Sequence, residues 1–592
     1  MSAAYTMKHG LVRTTAAAAF ALAALSASRA AQAQAIERNL PPAQPSQAQP
    51  LLAPNATPAN QDDQPIGPAL SGVLVLGPED PVRPEAAHEL NTALVPRMNQ
   101  PAARAQLTPF IGQPLSRKLI AEVEAAIARY YRQQGYPFVS ISTPPQPISG
   151  GVLQVRVIEF HAGDVKVTGV DPDTAQTVRG GVRLQTGQPI DAVQLEQDLD
   201  WLNRYPYRHT EAVFAPGDDL GASNLALQTT LSKPWQVYAG YANSGSPSTG
   251  WDRYFMGVQA GGLLVPGTVF SYQFTASPDF FDDHGDAFGE LEHPEYASHG
   301  ARASIPIGDR QELEFTFDHV ETNVADTVFG VQFAVRQETG EFSFGYRGSV
   351  SNFVRFPGDI FAGVEIKSER RISYFSGLEA VNNSIDVYQG YLGWENAWSD
   401  LTGRNDLTLT VHASPGGVDG HNSLAALALF SNYRIVAADY AYDDLQFSRT
   451  TRLPANWSLV NSLIGQYAGT ALPDTEQMGV GGSDLVRGYT LDDGAYDSAI
   501  VSRNELRAPS LALLGRAGPV PDQLAPFAFF DAGYGTSHNV AVKADLASVG
   551  VGADYYLGGR LSATATVGRA LTDGVETRNG DWLLQSRVTL SF

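Results

Sequence analysis

Side chains able to do covalent or metal chemistry are scattered in this sequence. Eleven histidines and no cysteine are present. That excludes thiol catalysis, cysteine-ligated zinc and a disulfide framework. The densest group of possible metal ligands is "DDHGD", Asp282–Asp286. Its residues lack a fixed helical or strand spacing, so it reads as a solvated acidic loop and no metal or cofactor is expected. There is no Gly-Lys dipeptide and hence no P-loop, and no G-x-S-x-G element. One charged residue stands out by its setting. Arg487 lies in "SDLVRGYTLDDGAY", Ser483–Tyr496, a Gly/aromatic turn between segments that alternate like strands facing lipid. Such a guanidinium is either a solvated loop group or half of a buried pair.

The elements around it follow from composition and periodicity. The chain has 592 residues, 57 glycines and only 17% charged residues, against roughly 25% in soluble domains. Its first 35 residues read as a signal peptide. Lys8, His9 and Arg13 form a basic start, Ala16–Ser26 is small and apolar, and cleavage is expected after Ala33 or Ala35. Removing them takes away Lys8, Arg13 and Arg29 and no acid, which makes a formal charge of −22 more negative by three. A chain so acidic is a poor match for nucleic acid, whose phosphates need Lys/Arg clusters. No later run of 18 apolar residues occurs, so any membrane crossing must use strands.

Residues 36–70 carry eight prolines among Gln, Asn and Ala, and are expected to be a periplasmic linker. Residues 71–232 read as two mixed modules, 71–160 and 161–232. In the first, "SGVLVLG" is a strand, and "SRKLIAEVEAAIARYYRQQG" is a helix capped by Ser116 and stopped at Gly135. Leu119, Ile120, Val123, Ile127 and Tyr130 share one face of that helix, and the strands "PFVSIS" and "GVLQVRVIEF" follow. The second module repeats the order, with strand "DVKVTG", a helix capped by Asp191 with Leu195, Leu199 and Leu202 inward, and strands "TEAVFAPG" and "NLALQTTL".

From residue 233 to 592 the helical period vanishes and alternating segments of roughly ten residues take over. In "DLTLTVHAS", Leu407, Leu409, Val411 and Ala413 take one face while Thr408, Thr410 and His412 take the other. Tight turns ("LLVPGTV", "IPIGDRQ") contrast with one long acidic loop, "SPDFFDDHGDAFGELEHPEYAS". The pattern predicts a closed transmembrane β-barrel, since an open edge in hydrocarbon leaves backbone groups unpaired. The chain ends on Trp582, Leu584, Val588, Leu590 and Phe592, apolar at every second position except Ser586. A soluble sandwich would not expose such an edge.

Four stretches, in order, carry a family resemblance: "YYRQQGYPF" with "GVLQVRVIE"; "LNRYPYRHTEAVFAPGDDLGASNLAL"; "YANSGSPSTGWDRY"; and "LVRGY" followed by "FAFFDAGYG". From about residue 70 to its end the chain resembles the TpsB transporters of two-partner secretion, the haemolysin secretion/activation proteins of the ShlB/FhaC/HecB type. The resemblance implies a membrane all-β fold, a barrel of about 16 antiparallel strands preceded by two periplasmic POTRA-like α/β domains. It implies that Val486, Arg487, Gly488 and Tyr489 form a motif at the tip of an extracellular loop folded back into the lumen. Asp531 would be the barrel-wall carboxylate that pairs with Arg487, with Tyr489 packed on the wall and its hydroxyl wet. The C-terminal residues Trp582, Leu584, Val588, Leu590 and Phe592 would form the assembly signal. Many relatives begin with a plug helix; here residues 36–70 are too proline-rich for a long one and leave at most a short turn around "IERNL".

The function implied is not enzymatic. An outer-membrane transporter would bind an unfolded, secretion-signal-bearing TpsA-type exoprotein and export it without ATP. Lipid, lipopolysaccharide, the barrel-assembly machinery and periplasmic chaperones would be its other partners, with the transporter itself monomeric. The alternative is an assembly factor of the BamA/TamA insertase type, disfavoured by the small number of modules and by the "NSGSPSTG" hairpin.

Overall fold

The computed structural model describes residues 36–41, 60–84, 88–148, 150–282, 294–328, 331–354, 356–400, 402–514 and 520–592. The expected signal peptide, most of the linker and nearly all of the "DDHGD" group lie outside these residues. The chain forms two compact units.

One unit holds the two small modules. In the first, Gly72–Leu76 pairs in parallel with Val152–Glu159, and Val139–Ser142 pairs antiparallel on the far side. The helix Arg117–Gln133 covers this sheet because Leu119, Val123, Ile127 and Tyr130 all fall on its buried face. Its ends follow the sequence signals. The Ser116 hydroxyl accepts the Leu119 N–H at 3.1 Å, and Gly135 takes a left-handed φ of 84° just past the last turn. The second module repeats the topology. His161–Thr168 pairs in parallel with Ala222–Leu231, which pairs antiparallel with Arg208–Pro216, and the Asp191-capped helix Ala192–Leu202 turns Leu195, Leu199 and Leu202 into the core. Each module also carries a helix not anticipated from the sequence, Pro101–Leu107 and Pro172–Gly180. Asp171 caps the latter, and its carboxyl is lowered first by the Thr174 hydroxyl and then by backbone N–H groups. The strand Pro65–Ala69, at the end of the expected linker, pairs with Pro114–Ser116.

The other unit is a closed barrel of sixteen strands, from Trp235–Ala242 to Trp582–Ser591. Tight turns occur where expected: the Gly262 N–H donates to the Thr268 carbonyl, and Gly308 pairs directly with Gln311. The last strand closes on the first, with Tyr238 opposite Ser591 and Ala242 opposite Arg587. Alternation sets the two faces. Ile500 is 45% exposed and its neighbour Val501 0%; Phe530 is 49% exposed and Asp531 0%. Aromatics edge the apolar band at both rims, Trp235, Trp457 and Tyr556 beside the short connections and Tyr254, Tyr467, Tyr534 and Trp582 beside the long ones. Among the described residues no helix is long and apolar enough to cross a membrane. Among the described residues, two short α-helices interrupt the barrel half inside long loops, Asp279–Asp282 and Leu424–Phe430, the latter capped by Ser423.

Candidate functional site: the loop inside the barrel

The long connection 469–497 joins strands Ser458–Ala468 and Ser498–Arg507. Its core residues Val480, Val486, Tyr489 and Tyr496 pack against inward-facing wall residues Val501, Leu546 and Ala570, so the loop lies in the lumen. A short antiparallel pair, Met478–Gly479 with Ala495–Tyr496, stiffens its base.

At the tip, Arg487 is almost fully buried. Its Nε donates to Asp531 Oδ2 at 2.7 Å and its Nη2 to Asp531 Oδ1 at 2.8 Å, a bidentate fork. Its Nη1 donates to Glu505 Oε1 at 2.6 Å, and the guanidinium lies 3.9 Å from the Phe529 ring centroid. Glu505 in turn accepts from Arg507, which also pairs with Asp554 at 2.8 Å. Alternating charges thus continue along the inner wall, and every oxygen facing the buried guanidinium has a donor. An unpaired charge at this depth would be costly; a paired one is not.

The wall is cut back to admit the tip. A Cβ at Gly533 would lie 2.8 Å from Val486 Cγ2, and one at Gly568 would lie 2.9 Å from the Gly488 Cα. Gly488 itself has φ 88°, a conformation that side chains disfavour. Tyr489 departs from expectation. Its hydroxyl is not wet but sits among the Ala547 carbonyl and the carbonyl and hydroxyl of Thr572, all at 2.9 Å. Between the loop and the first hairpin, the Ser248 hydroxyl and N–H donate to Asp492 at 2.8 and 3.0 Å. Burial raises the Asp492 carboxyl, and these bonds counter it.

The expected linker begins inside the barrel. Arg253 Nη2 bonds Glu37 at 2.7 Å, Arg38 bonds Glu341 at 2.6 Å, and Asn39 donates to the Tyr296 hydroxyl at 2.7 Å. Described residues 36–41 form no helix. Three consecutive polar side chains each find a wall partner, a signal that the surrounding prolines obscured. Of the C-terminal residues, Trp582, Leu584, Val588 and Leu590 face outward on the closing strand and Phe592 is exposed just past its end.

A sixteen-stranded barrel with a lumenal arginine loop and two POTRA-type modules defines the POTRA-plus-barrel class of outer-membrane proteins, with the N-terminal domains in the periplasm. The chain belongs to the haemolysin secretion/activation protein ShlB/FhaC/HecB family, whose model matches residues 221–555; the ShlB-type POTRA domain matches residues 90–159. It is similar to the outer membrane transporter CdiB of Dickeya dadantii, 24% identical over 66% of each chain. The hemolysin transporter protein ShlB of Serratia marcescens is 29% identical over 30% of this chain and 32% of its own length. The matches therefore span about two thirds and one third of those relatives. Among solved structures, CdiB from Escherichia coli has the same fold, with a TM-score of 0.58 at 17% identity, covering 93% of this chain and 94% of that one.

Proposed function

We propose that the chain exports an unfolded TpsA-type partner protein across the outer membrane without ATP. The POTRA modules bind an extended segment of the partner by strand addition, using the edge strand Val139–Ser142 and the groove between Leu119–Tyr131 and Val152–Ile158. The partner then threads the barrel and folds outside, and that folding sets the direction of transport. Lipid and lipopolysaccharide bound the barrel, and its own insertion uses the assembly machinery.

The observation that carries this reading is the bidentate Arg487–Asp531 pair, which anchors a loop within the conduit rather than outside it. A loop pinned inside the lumen fits a gated protein conduit better than an open pore. Arg487→Ala is expected to abolish secretion of the partner while the barrel still shows a heat-dependent shift in gel migration. Unchanged secretion would remove the motif from the mechanism. An Arg487→Asp/Asp531→Arg double variant is expected to recover part of the secretion lost in each single variant. A double variant no better than either single one counts against pairing as the functional contact.

A further inference from the structure

The loop is held at a second place, far round the wall from Arg487. Before its tip the chain passes through the turn Asp474–Glu476. The Glu476 carboxylate is fully buried and accepts from Lys367 Nζ at 2.9–3.0 Å, Gln389 Nε2 at 2.7 Å and the Tyr442 hydroxyl at 2.7 Å. The preceding carbonyl, of Thr475, accepts from Arg38 at 2.7 Å, the same Arg38 that pairs with Glu341. Asp474 bonds Arg371 and Arg434, both at 3.0 Å.

Counted round the closed barrel, Lys367, Gln389 and Tyr442 stand on the seventh, eighth and tenth strands, and Glu505 and Asp531 on the twelfth and thirteenth. With Gln466 of the eleventh strand donating to the Glu476 carbonyl at 2.7 Å, one loop is held along an arc of wall from the seventh to the thirteenth strand. The two anchors differ in kind. The Arg487 anchor is backed by the apolar cluster of Val480, Val486, Tyr489 and Tyr496 and by backbone contact of Gly488 with Gly568. Glu476 is held mainly by polar groups, for which water can substitute once the lumen is wet, and the loop adds only Leu472 and Ala471 to the apolar clusters beside it. Buried apolar surface has no such substitute.

We propose that the Glu476–Lys367 pair is the lock that keeps the conduit closed, and that the loop opens by releasing this arm while remaining hinged at Arg487. The proposal rests on the reading that the loop lies in the conducting path, and adds which of its anchors gives way. Arg38, which touches both the arm and the wall, makes the N-terminal segment part of the closed arrangement.

Ion conductance of the purified full chain in planar bilayers, with no partner protein present, tests it. Glu476→Gln and Lys367→Met are each expected to raise the time-averaged conductance at least about tenfold, because each removes the charge pair that ties the arm to the wall. Among the described residues this leaves Lys367 only Glu365 at 3.7 Å, or Glu476 no cation in direct contact. The Lys367→Glu/Glu476→Lys swap is expected to bring conductance back toward the starting value. Tyr442→Phe, which keeps the ring and removes one donor, is expected to give a rise of about twofold. Assembly is checked for each by the heat-dependent gel shift. If Glu476→Gln and Lys367→Met assemble and conduct as the parent does, the lock is refuted; should neither assemble, an unchanged Tyr442→Phe refutes it. Arg487→Ala separates the two readings. If it alters conductance and the lock variants do not, only the lock is wrong; if none alters conductance, the loop is not in the conducting path.

Discussion

At the scale of single residues, the site depends on what is missing as much as on what is charged. Gly568 and Gly533 create the recess that Gly488 and Val486 occupy. Gly568→Leu would place a side chain where the tip now sits, and overpacking of this kind typically costs about 1–3 kcal/mol. The expected outcome is an assembled barrel whose loop tip is displaced, read as new trypsin cleavage after Arg487 in detergent micelles. Continued protection would show that the glycine recess is not what seats the loop. Arg487 stood out in the sequence by its setting in a Gly/aromatic turn, which left a solvated loop group and a buried pair both open until the family resemblance pointed to the pair. Asp531 came through the family motif. Glu505 and the Glu476 cage were not legible, because they depend on which strands stand opposite each other across 18 to 109 positions of sequence. The alternation "FFDAGYG" did hold a hint, since Gly533 and Gly535 share the inward face with Asp531.

At the scale of elements, a sequence displays what its local signals complete. The helix Arg117–Gln133 has a cap, an apolar stripe and a glycine stop within twenty residues, so its existence and both ends could be read directly. Ser116→Ala removes the acceptor for the Leu119 N–H and is expected to cost about 1 kcal/mol. Hydrogen exchange of the first-turn amides in the full chain should then speed up about fivefold with the rest of the helix unchanged. Equal protection in both proteins would mean that packing alone fixes that end. The helices Pro101–Leu107 and Pro172–Gly180 escaped notice because two turns show too little periodicity to separate from loop. Asp171 was the available clue, standing just before Pro172. Because its folded-state carboxyl is lowered, its contribution is complete above the ordinary aspartate value of about 3.9 and is lost as the pH falls through the lowered one. In the barrel, the strands between Gln311 and Ser399 run to 22 residues, twice what alternation suggested, because their outer parts extend past the apolar band where composition turns polar.

At the scale of the whole molecule, the barrel half is one cooperative object because hydrocarbon offers no partner to an open strand edge. Its seam is the most exposed test of that statement. The last strand joins the first through the five register pairs from Tyr238–Ser591 to Ala242–Arg587, reciprocal backbone bonds between Phe592 and Val237, and bonds of Asn243 to Ser586 and Leu584. Deleting Trp582–Phe592 would leave two edges, Trp235–Ala242 and Leu561–Ala570, facing lipid with unpaired N–H and C=O groups at several kcal/mol each. No heat-shifted band is then expected, and the chain should be lost to periplasmic proteolysis. Phe592→Ala is a different kind of change. It keeps every backbone bond of the seam and removes only an outward ring, so the closed barrel should form and unfold at the same temperature as the parent. Its defect, if the terminal aromatic is an assembly signal, belongs in the rate at which folded barrel appears after synthesis. A truncated chain that still shifted on heating would mean that closure does not run through this seam. A Phe592→Ala chain assembling at the parent's rate would confine the terminal ring to packing against lipid.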